Sequence, residues 1–321
     1  MIYDYGIEPE LVATWGELGI YRFFFDKFGL GTPRSVSCYP RDWKAQVLAA
    51  ASNAREVEKI RVDELLQLIG ENMIDRDSSP YNAGFAWLEN AEREHGCRPF
   101  DVMLARSNPR SHTDVLVGSA ILPGSDPRWD LQSRLPPVPR RAAEMAAAVA
   151  AMLRNCTVAH FVDPNFGPEN TRHRRPAEAF FRALLANRNG RSLVYVAIHT
   201  SEKSTPDFFE DTCKQQLPRL IPRGLRVTLR RWKQKDGGEK LHDRFILTNL
   251  GGVEFSVGLD DGPEGETTGI RLLSREEYLL RWLQYTSDAP AFDPAKPDPF
   301  AVDGIGRGPQ ESQARHLPRR R

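Results

Sequence analysis

Cysteine is scarce in this chain: four residues in 321, Cys38, Cys97, Cys156 and Cys213, each far from the next. They form no Cys-x-x-Cys pair and no Cys/His spacing suited to zinc, which excludes a disulfide framework and a zinc-finger scaffold. Isolated thiols suit a reducing compartment, so the protein is expected to be cytoplasmic. Long apolar runs are missing as well. No stretch approaches membrane-spanning length, and the opening Met1-Ile2-Tyr3-Asp4-Tyr5 is neither basic nor continuously apolar. A membrane partner and a secretory leader are therefore not expected. Net charge is almost nil, 44 Lys plus Arg against 43 Asp plus Glu, so any charged partner has to be argued from local clusters. The chain also lacks a glycine loop for phosphates. Gly29-Leu30-Gly31-Thr32-Pro33 has the wrong spacing and reads as a helix end, and with no metal cluster in view no cofactor is expected.

What is present is the composition of a globular protein, 40% hydrophobic and 27% charged, long enough for two domains. Residues 1–135 read as a mixed, mainly helical region. Apolar residues recur at helical spacing around Glu8 to Phe28, Trp43 to Ala54, Val62 to Met73 and Phe85 to Ala91, with short strands at Phe100 to Ala105 and Asp114 to Val117. The aromatic group Tyr21, Phe23, Phe24, Phe25 and Phe28 reads as core. A proline-rich linker, Leu135 to Arg141, precedes a change of character. From there strand and helix alternate. Ala142 to Leu153 is an alanine-rich helix, Thr157 to Val162 a strand, Pro176 to Ala186 a helix, and Ser192 to Ile198 a strand. Thr205-Pro206-Asp207 opens a helix, Leu225 to Arg231 is a strand with one basic face, and Ser274-Arg275-Glu276-Glu277 is a capping box for a helix through Tyr285. This alternation predicts an α/β domain over 140–287, a mostly parallel mixed sheet flanked by helices. Residues 288–321, rich in Pro, Gly, Asp and Arg, read as a disordered basic tail.

Chemistry concentrates at Lys240-Leu241-His242-Asp243-Arg244-Phe245-Ile246-Leu247-Thr248-Asn249. This apolar run is followed by a Gly251-Gly252 turn and a second run to Gly258, and the whole predicts a β-hairpin. Residues two apart in a strand share a face, so the His242 imidazole and the Arg244 guanidinium can grip one anion. A planar donor fork beside a histidine suits a phosphodiester. In a parallel sheet ligands gather beyond the carboxyl ends of strands, which nominates Asp163 after the first strand and His199 after the second. The Arg172-His173-Arg174-Arg175 cluster lies a little further on, with Arg175 taken as substrate-binding.

The run from His242 to Asn249, with Gly258 downstream, resembles the phospholipase D superfamily signature of histidine, any residue, lysine, four residues, aspartate and a later glycine-serine step. His242 matches the histidine, Arg244 stands at the lysine position, Asn249 at the aspartate position, and Leu259 where serine follows the glycine. The resemblance implies a phospholipase D-like α/β fold and a metal-independent phosphodiesterase. In that chemistry one histidine attacks phosphorus and a histidine from a second motif protonates the leaving oxygen. Only one motif is present, so the resemblance implies either a homodimer that pairs two copies of His242, the favoured arrangement, or a substitute such as His199 or His173. Asp243, Asp260, Asp261, Glu264 and Glu266 are the carboxylates able to compensate for Asn249.

Basic residues run from Arg219 through Arg226, Arg230, Arg231, Lys233 and Lys235 to Lys240, leading into the motif. Such a run beside a phosphate grip suits nucleic acid, with Lys240, Arg230 and Arg231 as substrate-binding residues. The expectation is a nuclease acting on DNA, in the style of bacterial genome defence, with residues 1–135 recognising a partner protein or substrate. The alternative is a catalytically inactive nucleic-acid-binding or scaffold subunit, to which Asn249 lends weight.

Overall fold

The computed structural model describes residues 1–76, 79–121, 126, 128–129, 135–188 and 193–307. These fall into two compact units, one spanning Ile2–Ser133 and the other taking Met1 and Arg134 onward. Both are α/β. Among the described residues no helix is long and apolar enough to cross a membrane.

The amino-terminal unit corrects the mainly helical reading. Strands β1 (Tyr3–Ile7), β2 (Arg34–Cys38), β3 (Ile74–Asp75), β4 (Val102–Ala105) and β5 (Val115–Val117) form one sheet in the order β3-β2-β1-β4-β5. Every neighbouring pair in it is parallel. Helices α1 (Pro9–Ala13), α2 (Leu18–Phe24), α3 (Trp43–Ala50) and α4 (Glu56–Gly70) connect β1 to β2 and β2 to β3, and α5 (Trp87–Cys97) leads into β4. A short α6 (Gly118–Ile121) follows β5. One sheet face packs Tyr5, Ile7, Val36 and Leu104 against Val12, Trp43, Val47 and Leu65 of the first helices. The other packs Met103 and Val115 against Trp87, Leu88 and Ala91 of α5. Each fully buried aromatic or aliphatic side chain contributes roughly 1.5–3 kcal/mol.

β1 and β2 escape sequence reading because their second face is not apolar. Asp4, Ser35 and Ser37 are buried there around Arg76. The Arg76 guanidinium donates 2.7 Å bonds to Asp4 Oδ2 and Glu94 Oε1, and its Nε donates to Ser37 Oγ at 2.8 Å. It also lies over the Phe100 ring at 3.7 Å. Gly6 leaves room for Phe100, whose ring would stand 3.0 Å from an added Cβ.

In the second unit β6 (Val138–Pro139) leads into α7 (Ala142–Asn155), β7 (Val158–Val162), α8 (Thr171–Leu185), β8 (Tyr195–Ser201), α9 (Pro206–Leu220) and β9 (Arg226–Lys233). Then come β10 (Phe245–Thr248), β11 (Gly251–Phe255), β12 (Thr267–Thr268), β13 (Ile270–Leu272), α10 (Arg275–Thr286) and β14 (Asp293–Asp303). The seven-stranded sheet has the order β13-β11-β10-β7-β8-β9-β14, and β6 pairs with β12 separately. Only β7, β8 and β9 run parallel, linked by the crossover helices α8 and α9. The flanks are antiparallel, because a hairpin, not a crossover, joins β10 to β11. This mixed sheet corrects the mostly parallel expectation for 140–287.

Three boundaries differ from the sequence reading. The β10–β11 loop is Asn249-Leu250, since Thr248 pairs with Gly251, so the turn precedes the Gly-Gly pair. Helix α8 begins at Thr171, one turn before Pro176, because the Asn170 side chain accepts the Arg172 N–H at 3.0 Å. Residues 293–303, read as part of a disordered tail, form the edge strand β14 against β9, with Ala295 and Val302 buried. A tail expected over 308–321 lies outside the described residues. The capping box at Ser274 is formed, with Ser274 N–H donating to Glu277 Oε2 at 2.9 Å.

Candidate active site

The register of β10 decides which predicted residues meet. β10 runs antiparallel to β7, with Phe245 opposite Val162 and Thr248 opposite Ala159. Arg244 therefore stands at the carboxyl edge of β7, level with Asp163, whereas Asn249 lies at the amino edge. β8 sets His199 beside Val162, and β9 sets Arg230 beside His199. Alternation gives Phe245, Val162, His199 and Arg230 one face, which α10 covers through Arg281 and Tyr285. The next row, Arg244, Asp163 and Arg231, belongs to the face of α8 and α9, where Phe255 meets Phe180 and Arg231 lies over Phe209.

At that edge His242 is the exposed group, its side chain 76% accessible, with Nδ1 3.4 Å from Asp243 Oδ1. Helix α10 anchors its segment twice. Arg281 pairs with Asp243 at 3.0 Å and with Glu239 at 2.7 Å, and Gln284 donates to Glu239 at 2.6 Å. Arg244 is half-buried, and its Nε is buried without a hydrogen-bond partner among the described residues. An unsatisfied buried donor costs about 1–3 kcal/mol, which an incoming oxyanion would relieve. Lys240 and Arg175 are exposed.

Several predicted residues are occupied by the fold. Asp163 is buried, accepting the Asn165 N–H at 2.8 Å and the Leu259 N–H at 3.0 Å, and so ties β7 to the 258–262 loop. In that loop Asp260 is buried and paired with both Arg140 and Arg172, while Asp261 Oδ1 accepts the Ala142 N–H at 2.7 Å at the start of α7. His173 is buried beside them, its Nε2 3.7 Å from Asp260. Arg231 binds the backbone carbonyls of Lys296 and Ser204, holding β14 and the approach to α9, so it is not free for substrate. Asn249 is likewise structural: its Oδ1 accepts the N–H groups of Thr157 at 2.8 Å and Val158 at 3.2 Å. Asn249 is thus removed from the expected His242, Arg244 and Asn249 group, and His242 and Arg244 both precede β10 rather than lying within it.

His199 is fully buried and cannot reach a substrate at the surface. The Trp232 Nε1–H donates to His199 Nδ1 at 2.9 Å. Because tryptophan only donates, the proton of the neutral His199 ring sits on Nε2, which points at His160 Nδ1 2.9 Å away. Burial, reinforced by the Arg230 charge, pushes the His160 pKa down to about 4. Burial, then His160 and Arg230, holds His199 well below its ordinary range. Sequence reading missed His160, though its place two residues before Val162 in an apolar strand carries the signal of a face shared with His199.

No protein-family model and no curated protein matches the chain.

Proposed function

We propose that the carboxy-terminal unit is a phospholipase D-like phosphodiesterase that cuts nucleic acid, DNA in the first instance. The observation that carries this reading is the partnerless Nε of Arg244 at the sheet edge, two residues from the exposed imidazole of His242. Arg244 grips a non-bridging phosphate oxygen while a His242 nitrogen attacks phosphorus, the P–O bond to the leaving group breaks, and the departing oxygen takes a proton. Water then cleaves the P–N bond. Lys240 and Arg175 supply exposed positive charge for the flanking backbone. Asn249 takes no part in this reading, since its amide oxygen serves two backbone donors at the other end of β10.

The other described histidines of this unit, His160, His173 and His199, are all buried. The proton donor is therefore assigned to His242 of a second copy. The same burial favours a second reading, a phosphate-binding scaffold that does not cleave. The test incubates single-stranded and plasmid DNA with the protein in excess chelator. Cleavage is expected to fall by about three orders of magnitude in His242→Ala, as for loss of a nucleophile. Binding without cleavage in both proteins selects the scaffold. Cleavage that requires added divalent metal, or that survives in His242→Ala, sinks the mechanism, and a strictly monomeric native mass sinks the pairing of two histidines.

A further inference from the structure

The amino-terminal unit holds a second cluster of chemistry-bearing side chains, independent of His242. His95, in the last turn of α5, and His112 and Asp114, in the loop before β5, each offer a ligand atom, and these atoms lie within 4.8 Å of one another. His95 Nε2 and Asp114 Oδ2 are already 3.3 Å apart. Two ligands of a tetrahedral ion with bonds of about 2.0–2.2 Å stand roughly 3.3–3.5 Å apart, so this pair has the needed spacing, and a His112 ligand atom lies within 4.8 Å of both. The backbone holds the loop in place. Met103 donates to the Asp114 carbonyl at 2.8 Å, and Asn108 accepts the His112 N–H at 2.9 Å.

We propose that His95, His112 and Asp114 bind one divalent transition-metal ion of the zinc class, with water completing the coordination. Two imidazoles and one carboxylate form a donor set that prefers zinc, cobalt or nickel over magnesium or calcium. His95 is held between the two others: its Nδ1 is buried without a hydrogen-bond partner, and its Nε2 faces Asp114, a fellow ligand. Of the nearby cations, Arg76 is already paired with Asp4 and Glu94, and Arg128 with Asp126. The ion links the end of α5 to the strand that closes the sheet edge. The sequence hides this site because His95 and His112 are seventeen positions apart, outside any short ligand spacing.

The probe is Co²⁺ titrated into the chelator-stripped full chain, followed by visible absorption, with Zn²⁺ as competitor. One Co²⁺ per chain is expected, with the intense d–d bands of a four- or five-coordinate site that Zn²⁺ bleaches. Affinity should fall at least tenfold in His112→Ala and in Asp114→Asn, whereas His242→Ala keeps full binding. Circular dichroism of each stripped variant separates loss of the site from loss of the fold. His95→Gln, which keeps bulk at a packed position, serves as the second variant should His112→Ala unfold. Absence of stoichiometric binding, or binding unchanged in the double variant His95→Gln/His112→Ala, overturns the proposal. The spectrum reads the metal and the chelated cleavage assay reads His242, so either reading can fail alone.

Discussion

Buried arginine side chains can serve opposite ends, and the two units supply an example of each. In the amino-terminal unit the Arg76 guanidinium is enclosed by Asp4, Glu94, Ser37 and backbone carbonyls. In the carboxy-terminal unit the Nε atoms of Arg230 and Arg244 are buried with no partner among the described residues. Charge that the fold has already matched serves the fold; charge it has left unmatched at a sheet edge is charge a ligand can match. The difference predicts that similar substitutions act on different observables. Arg76→Leu strands two carboxylates in a core, a change that costs about 3–5 kcal/mol. Urea unfolding should show this loss in the transition of the amino-terminal unit. A change below 1 kcal/mol would mean that the network does not hold β1 to α5, and the comparison breaks.

The next effect belongs to the carboxy-terminal unit, where His160 and His199 are buried neutral. The unfolded chain takes up protons as pH falls through about 6.5, the ordinary histidine value, while folded His160 resists until about 4. Stability is therefore fully present above pH 6.5 and declines toward pH 4, by up to about 3 kcal/mol for His160. Denaturant midpoints across this window should slope downward with acid, and the slope should flatten in His160→Gln. A wild-type midpoint that is level from pH 7 to pH 4.5 contradicts the buried neutral pair.

Arg244→Ala is the direct counterpart of Arg76→Leu. With no partner to strand and an unmatched buried donor removed, it should not destabilise the fold by more than about 1 kcal/mol. It should weaken binding of single-stranded DNA by about tenfold to a hundredfold and lower the salt slope by about one. Fluorescence anisotropy at several salt concentrations checks both. A large loss of stability with unchanged binding would put Arg244 in the same class as Arg76.

How much of this was legible in the sequence follows from where polar groups sit. The strand–helix alternation after residue 140 was readable because β7, β8 and α7 have apolar faces, α9 opens on Pro206 and α10 on a formed capping box. β1 and β2 were not, because Tyr3-Asp4-Tyr5-Gly6-Ile7 and Arg34-Ser35-Val36-Ser37-Cys38 spend one face on polar groups whose partner, Arg76, is remote in sequence. β14 was hidden by Pro294, Pro297 and Pro299, which an edge strand tolerates. At the candidate site, the two-residue spacing of His242 and Arg244 assumed a strand that begins only at Phe245. The burial of His199, the use of Arg231 on carbonyls and the presence of His160 depend on register between strands, which no local pattern encodes.

The smallest effect separates the two ends of β10. Asn249 Oδ1 accepts two backbone N–H groups at the start of β7, and neither bond requires a negative charge. Asn249→Ala removes both, at a cost of about 1–2 kcal/mol, and should leave cleavage per folded molecule unchanged. Asn249→Asp keeps an acceptor oxygen in place and should change stability by less than about 1 kcal/mol. These two variants weigh the functional meaning of the position directly. If a carboxylate there were needed to orient His242, restoring it in Asn249→Asp would raise cleavage tenfold or more. Equal rates for Asn249→Asp and the parent chain are expected instead, because the antiparallel register puts residue 249 at the opposite end of the strand from the imidazole.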